Sequence, residues 1–353
     1  MTRLLSIPLV QKPGFNPELH VMRALGIMLV IMGHSLDPFL DWRGISELKS
    51  VIYSFHMPLF FFVAGFFGGK LSSANWKDYG ALLWQRFGRL MVPYLFLSIL
   101  VAAAKLTPGL AQYAERPLVA ADVVTSILLY PVKNPMITLW FVYVLFAIQV
   151  LFLTCSCLTP GAHKRRIQAL VLVPVSLAAN LASAHCPAIL GLDTVANHAI
   201  YVVAGILLRP SYRVVKDGLG KYRYLLLLVP LLLLHPDTRH IAGARLLYAT
   251  AGILATWVVA CALARSPTSV TGVLYLVGDY AYAIYLYGYF FGVTLRIVFI
   301  QVLGWAHPAM IGVFFLLPIL GSILLAKYVL QRNPIVRGLA LGEWPDNVRS
   351  SLR

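Results

Sequence analysis

The sequence predicts an all-α integral membrane protein, a bundle of about ten transmembrane helices with both termini in the cytoplasm. Three observations predict it. Of 353 residues, 59% are hydrophobic and only 12% charged, with a mean hydropathy of +0.78, about half the charge of an ordinary soluble domain. Apolar runs long enough to cross a bilayer recur along the whole length. The basic residues also segregate between alternate loops, as they do in multi-pass proteins.

The elements follow in order. Residues 1–20 read as a lead-in: Pro8, Pro13 and Pro17 break it up, and it lacks the short apolar core and cleavage site of a secretory leader. Spanning helices are expected near 21–40, 49–69, 87–105 and 136–157, then near 167–185, 195–208 and 223–235, and finally near 245–264, 272–296 and 309–330. The sixth and seventh are short and read as half-helices or tilted pieces. Residues 331–353 form a cytoplasmic tail. No solenoid period and no inverted duplication of the halves stands out, so residues 1–353 read as a single membrane-embedded domain. The longest outer loop, 106–135, and the first one, Asp37 to Ser50, are polar and aromatic.

A formal net charge of +16 invites a nucleic-acid reading, which the distribution removes. With an even number of spans and the amino terminus inside, 21 of the 29 lysines and arginines fall on the cytoplasmic side and 8 outside. Positive-inside orientation accounts for that split, and no nucleic-acid partner is needed. Cys155, Cys157, Cys186 and Cys261 lie in or beside apolar runs without metal-ligand spacing, so they read as small buried residues and no metal is expected.

The residues with chemistry are few. Arg23 and His34 are eleven apart on an apolar segment, so on a helix they share one face with a rise of roughly 16 Å between them. An ionisable group inside a membrane segment is a functional candidate by default; the structural alternative is a snorkelling arginine and a hydrogen-bonded histidine. Arg86 and Arg89 are three apart at the start of the third span, a fork that suits phosphate, where plain positive-inside anchoring is the alternative. Asp37, with Asp41, Trp42, Arg43 and Glu47, gives the first outer loop the carboxylates, indole and guanidinium that a sugar-binding surface uses. Trp140 and Tyr143 share a face and would stack a sugar or belong to an interfacial aromatic belt. Asp279 lies in an apolar run among tyrosines, where it either pairs with a buried partner or lines an acceptor path. His56, just before Met57-Pro58, reads as structural.

Taken together, these segments resemble the membrane-bound acyltransferase-3 family. RALGIMLVIMGH (Arg23 to His34) resembles its first-helix signature, FHMPLFFFVAGFF (Phe55 to Phe67) its second-helix motif, and RFGRLMVPY (Arg86 to Tyr94) its arginine pair followed by Pro-Tyr. LWFVYVLF (Leu139 to Phe146) is similar to its Trp-Phe segment, and DYAYAIYLY (Asp279 to Tyr287) to its tyrosine-rich penultimate helix. The resemblance runs from about residue 15 to 330.

The resemblance implies a ten-helix protein of the bacterial inner membrane. It implies transfer of an acyl group, usually acetyl, from a cytoplasmic coenzyme A thioester to a carbohydrate hydroxyl. Carried over by position, His34 is the essential histidine, Arg23 the arginine of the same helix, and Arg86 with Arg89 the pair assigned to coenzyme A. Two positions depart from the pattern: His20 stands where an acidic residue is common, with Glu18 as a substitute, and Gly288 stands where many members carry a histidine. The expected acceptor is a lipid-linked oligosaccharide or a polysaccharide, with an exopolysaccharide of the xanthan type as one example. The competing class is a transporter or flippase of a lipid-linked glycan, against which the lack of repeat symmetry and matched broken helices counts.

Overall fold

The computed structural model describes residues 16–344 apart from 69–70, 112–115, 160, 162, 222–241 and 266–267. Among the described residues every regular element is helical. In chain order they are α1 (Pro17–Ser35), α2 (Arg43–Phe67), α3 (Trp76–Arg86), α4 (Val92–Leu106), α5 (Trp140–Leu158), α6 (Lys164–Ala182), α7 (Leu192–Leu208) and α8 (Tyr212–Lys221). They continue with α9 (Ala242–Arg265), α10 (Ser269–Asp279), α11 (Ala281–Leu295), α12 (Ile311–Leu325) and α13 (Pro334–Leu341). Short helices at Pro108–Ala111 and Val123–Leu128 punctuate the long connection between α4 and α5.

Eight helical segments among the described residues are long and apolar enough to cross a membrane: Gly44–Phe67, Trp76–Leu106, Ile137–Leu158, Lys164–His185, Ile189–Gly218, Gly243–Arg265, Ala281–Val302 and Pro308–Leu330. The expected span at 223–235 lies outside the described residues. The first expected span is present as α1, diluted by Glu18, His20, Arg23 and His34. Its flanks explain how it carries four ionisable residues. α1 packs against α9, α10 and α11, and Val21, Met22, Ala24 and Ile27 are 0% exposed. A helix enclosed by protein presents its polar groups to other side chains and not to lipid.

Two expectations need correction. The single span over 272–296 is two helices: α10 ends at Asp279, Tyr280 leaves helical geometry (φ −94°, ψ 7°), and α11 starts at Ala281. A polar aspartate at the join faces solvent more readily than it continues an apolar helix, and its side chain is 65% exposed. The span expected over 87–105 starts at Trp76, because Asn75 caps α3 by accepting from the Lys77 and Asp78 amides. It continues through a π-helical stretch at Phe87–Met91 into α4. Two further π-helical stretches cover Arg296–Val302 and Ala326–Leu330.

The chain forms two compact units. The first combines Met1–Val63 with Ser211–Ile323, and so holds α1, most of α2 and α8 to α12. The second combines Ala64–Pro210 with Leu324–Arg353, and so holds α3 to α7 and α13. In the second unit α6 and α7 lie side by side, tied where the Asn180 side chain donates to the Asn197 carbonyl at 2.5 Å.

Candidate functional site

Helix α1 carries chemistry at both ends. Asn16 caps it, its side chain accepting from the Leu19 amide at 3.1 Å, with Pro17 at the first helical position, where a missing N–H is harmless. One turn in, Arg23 meets His20 Nδ1 at 3.4 Å. The other ring nitrogen of His20 lies 3.2 Å from the Tyr275 carbonyl oxygen and 3.2 Å from an Asp279 carboxylate oxygen. Asp279 therefore belongs to the Arg23 end of α1, where its carboxylate meets the buried His20. Glu18 is engaged by Lys216, so its carboxylate is taken up by that lysine.

At the opposite end, His34 stands in the last turn of α1, which stops at Ser35 and not near residue 40. This brings Asp37, three residues on, back beneath the ring: His34 Nδ1 lies 3.2 Å from Asp37 Oδ2. Lys49, from the second turn of α2, engages Asp37 Oδ1. Arg296, at the end of α11, approaches Oδ2 at 3.7 Å. Burial pushes the Asp37 carboxyl up, but His34 and Lys49 outweigh burial and hold it below its usual range. Asp37 is thus an anion at neutral pH and only accepts hydrogen bonds, so Nδ1 of His34 carries the proton and donates it. Asp37 was expected on a sugar-binding loop; its position makes it the partner of His34.

His34 opens onto a small, half-open recess at this end of α1. Ile31, Phe314 and Pro318 give it apolar walls, and Gly288 and Gly292 of α11 keep one side low. A Cβ on Gly288 would meet the end of the Ile31 side chain at 2.6 Å, so α11 lies close against α1 here. The Ser35 hydroxyl fixes α12 to this end of α1, lying 2.7 Å from the Ile31 carbonyl and 2.8 Å from the Phe314 carbonyl. Tyr289 and Tyr53 stand edge-on to the His34 ring, with centroids at 5.7 and 6.3 Å. Arg296 lies over the Tyr289 ring at 5.7 Å and also lines the recess.

The second unit holds the other candidates. Arg86 is half-buried, and its Nε makes no hydrogen bond among the described residues. Arg89 donates from NH1 to the Leu341 carbonyl and to Glu343 Oε1, each at 2.9 Å. Gly342 makes that tie possible. It takes a left-handed conformation (φ 64°), and a Cβ there would collide with the Arg89 and Gly88 carbonyl oxygens. Trp140 and Tyr143, in the first turn of α5, each have a partner within the second unit. Trp140 packs on His198 at 5.5 Å, while the Tyr143 hydroxyl donates to the Leu128 carbonyl at 3.1 Å.

Among the described residues no three His, Cys, Asp or Glu side chains come close enough to hold a metal ion. Lys49, Tyr289, Arg296 and Glu343 belong to these sites and escaped the sequence reading. The i,i+3 spacing of His34 and Asp37 was a readable signal; Arg296 and Glu343 arrive from far along the chain and carry none.

A family model described as an acyltransferase domain, of the acyltransferase-3 type, matches residues 16–327. No curated protein and no solved structure matches the chain.

Proposed function

The chain belongs to the acyltransferase-3 family and is a multi-pass membrane acyltransferase; from that premise we propose that it moves an acetyl group from acetyl-CoA to a sugar hydroxyl of a lipid-linked oligosaccharide or polysaccharide. The observation that carries the reading is the His34–Asp37 pair at the edge of the recess. Acyl transfer to a hydroxyl needs a base of suitable pKa held in one tautomer. A carboxylate fixed on Nδ1 supplies that hold, leaving Nε2 for the acceptor proton.

The residues then divide the work. His34 removes the acceptor proton, and Asp37 stabilises the imidazolium that forms. Arg86 and Arg89 take the phosphates of the coenzyme, as guanidinium forks suit phosphate oxygens. Arg23, beside the His20 that Asp279 meets, keeps positive charge at the other end of α1. With the 21-to-8 distribution of basic residues, we place the amino terminus and the donor in the cytoplasm of a bacterium and the protein in its inner membrane, with ten spans. The His34 end of α1 then faces the acceptor side, and loops 37–50 and 106–135 with it.

The test is turnover of radiolabelled acetyl-CoA by the purified chain, followed as labelled acetate released or label on an added glycan. His34→Ala is expected to lower turnover by at least the 10²–10⁴-fold typical of a positioned base. It is expected to insert normally, because the change makes the helix more apolar. Activity within threefold of the unsubstituted chain would overturn the assignment.

A further inference from the structure

The start of α6 joins exposed positive charge to an exposed apolar stripe. Lys164, Arg165 and Arg166 are its first three residues. Lys164 turns inward and donates to the Ala74 carbonyl, whereas Arg165 and Arg166 are exposed. One turn on, Gln168 donates to Ser156 Oγ at 3.1 Å and to the Ser72 carbonyl at 3.4 Å. These ties fix the first turns of α6 against the end of α5 and the residues that lead into α3. The two arginines are thereby held near the start of α3, where Trp76 is 57% exposed and Lys77 is exposed as well.

Both helices meet the membrane surface at this level. The segment Trp76–Leu106 has 31 residues, about 46 Å of helix against a hydrocarbon core of about 30 Å. Its polar end is α3, with Lys77, Asp78, Gln85 and Arg86, so the surplus turns belong among the lipid headgroups, where an indole is favoured. Beyond Arg166 the open side of α6 becomes apolar at helical spacing, through Ile167, Leu170, Val171, Pro174 and Ala178. Leu170 is 67% exposed. Lys164–His185 is also the least enclosed of the eight membrane-length segments among the described residues, with 17% of its apolar stretch buried. Arg166, four residues before Leu170, heads this stripe.

A ligand that matches this surface carries a phosphodiester at the height of the arginines and hydrocarbon chains below it. We propose that the start of α6 is a binding site for an anionic phospholipid, its phosphate on Arg165 and Arg166 and its acyl chains along Ile167, Leu170, Val171 and Pro174. Guanidinium forks pair with two phosphate oxygens at once. The net negative charge of the lipid matters, because a zwitterionic headgroup brings its own cation to the same height and the arginines repel it. A second copy of the chain is a poorer match. α6 contains no aspartate or glutamate, so two copies paired through this stripe about a two-fold axis along the membrane normal would set arginine against arginine.

The experiment uses the purified full chain in detergent, titrated with phosphatidylglycerol or phosphatidylcholine and read by native mass spectrometry as lipid retained. The chain is expected to hold phosphatidylglycerol about tenfold more tightly than phosphatidylcholine, and Arg165→Gln with Arg166→Gln is expected to abolish most of that preference. Arg165→Lys with Arg166→Lys, which keeps the charge that orients the chain, is expected to keep part of it. Lys327→Gln with Arg332→Gln removes two exposed basic residues elsewhere in the same unit and is expected to leave the preference within about twofold. Equal retention of the two lipids by the unsubstituted chain would overturn the proposal. So would an equal loss in the variant at 327 and 332, which would make binding a matter of net charge, or displacement of the lipid by inorganic phosphate, which would mark a soluble anion site. A lipid-free dimer as the sole species would assign the stripe to a second copy and overturn it as well.

Discussion

Arg296 and Arg89 are the same residue type on the same unusual backbone, each in a π-helical stretch, yet their surroundings differ. Arg89 gives NH1 to a carbonyl and a carboxylate of the chain's own C-terminal segment, and a glycine in left-handed geometry holds that segment against it. Arg296 shares its carboxylate with a lysine and a histidine and lines the recess beside His34. The comparison shows that a π-helical arginine is not by itself a site. What matters is how much of its charge the protein has already matched. By that measure Arg89 is tied to the chain's own C-terminal segment, while Arg296 stands beside Asp37 at the recess.

The comparison breaks first at Asp37. Asp37→Asn keeps the size of the side chain but removes the anion that fixes the proton on Nδ1 and balances Lys49. Turnover of acetyl-CoA is expected to fall on the order of 10²–10⁴-fold with little change in KM. An effect under threefold would show that the His34 tautomer is set elsewhere. The next largest effect is expected at the recess itself. A Cβ on Gly292 meets nothing within 4 Å, so Gly292→Leu is expected to fill space without forcing a clash. The ratio of propionyl-CoA to acetyl-CoA turnover should then drop about tenfold, the usual penalty for a lost methylene or two of room. An unchanged ratio would place the acyl group somewhere other than this recess.

The smallest effects sharpen the other half of the comparison. Arg86→Ala is expected to weaken coenzyme A binding about tenfold, measured by calorimetry on the detergent-solubilised chain. Glu343→Gln is expected to tighten it by no more than about fivefold. The Arg89–Glu343 pair is about a third exposed on each side, and such pairs contribute about 0–1 kcal/mol. If Glu343→Gln weakens binding instead, the carboxylate positions Arg89 for the coenzyme and does not compete with it.

Much of this was legible in the sequence because the information is local. Hydropathy located most of the long helices among the described residues, since a spanning segment must be apolar for its full length, but it joined α10 to α11 and began the third span too late. His34 and Arg23 were visible as ionisable residues on an apolar face. Asp37 was visible too, but it was read as the start of a sugar-binding outer loop, although three residues from His34 is one helical turn. The break at Asp279–Tyr280 was missed for a different reason: the tyrosine-rich run on either side reads as one continuous apolar period, and the aspartate's partner, His20, is far away in sequence. Arg296 was counted only as one of eight outer basic residues. Nothing near it in the chain marks it, because the recess that gives it meaning is assembled from α1, α11 and α12. Glu343 was placed in a tail, where only the three-dimensional return of residues 341–343 to Arg89 reveals its contact.

The compact encoding of the His34–Asp37–Lys49 group has a consequence for biosynthesis. All three residues lie in the first helical hairpin, so they leave the ribosome together and early. When that hairpin enters the bilayer, Asp37 already has its proton donor and its lysine within the same two helices, and the membrane never meets it as an isolated charge. Arg296 is made only when most of the chain has been inserted. The order of synthesis therefore lets the anion be neutralised first and the second cation be added last, onto a pair that no longer depends on it for insertion.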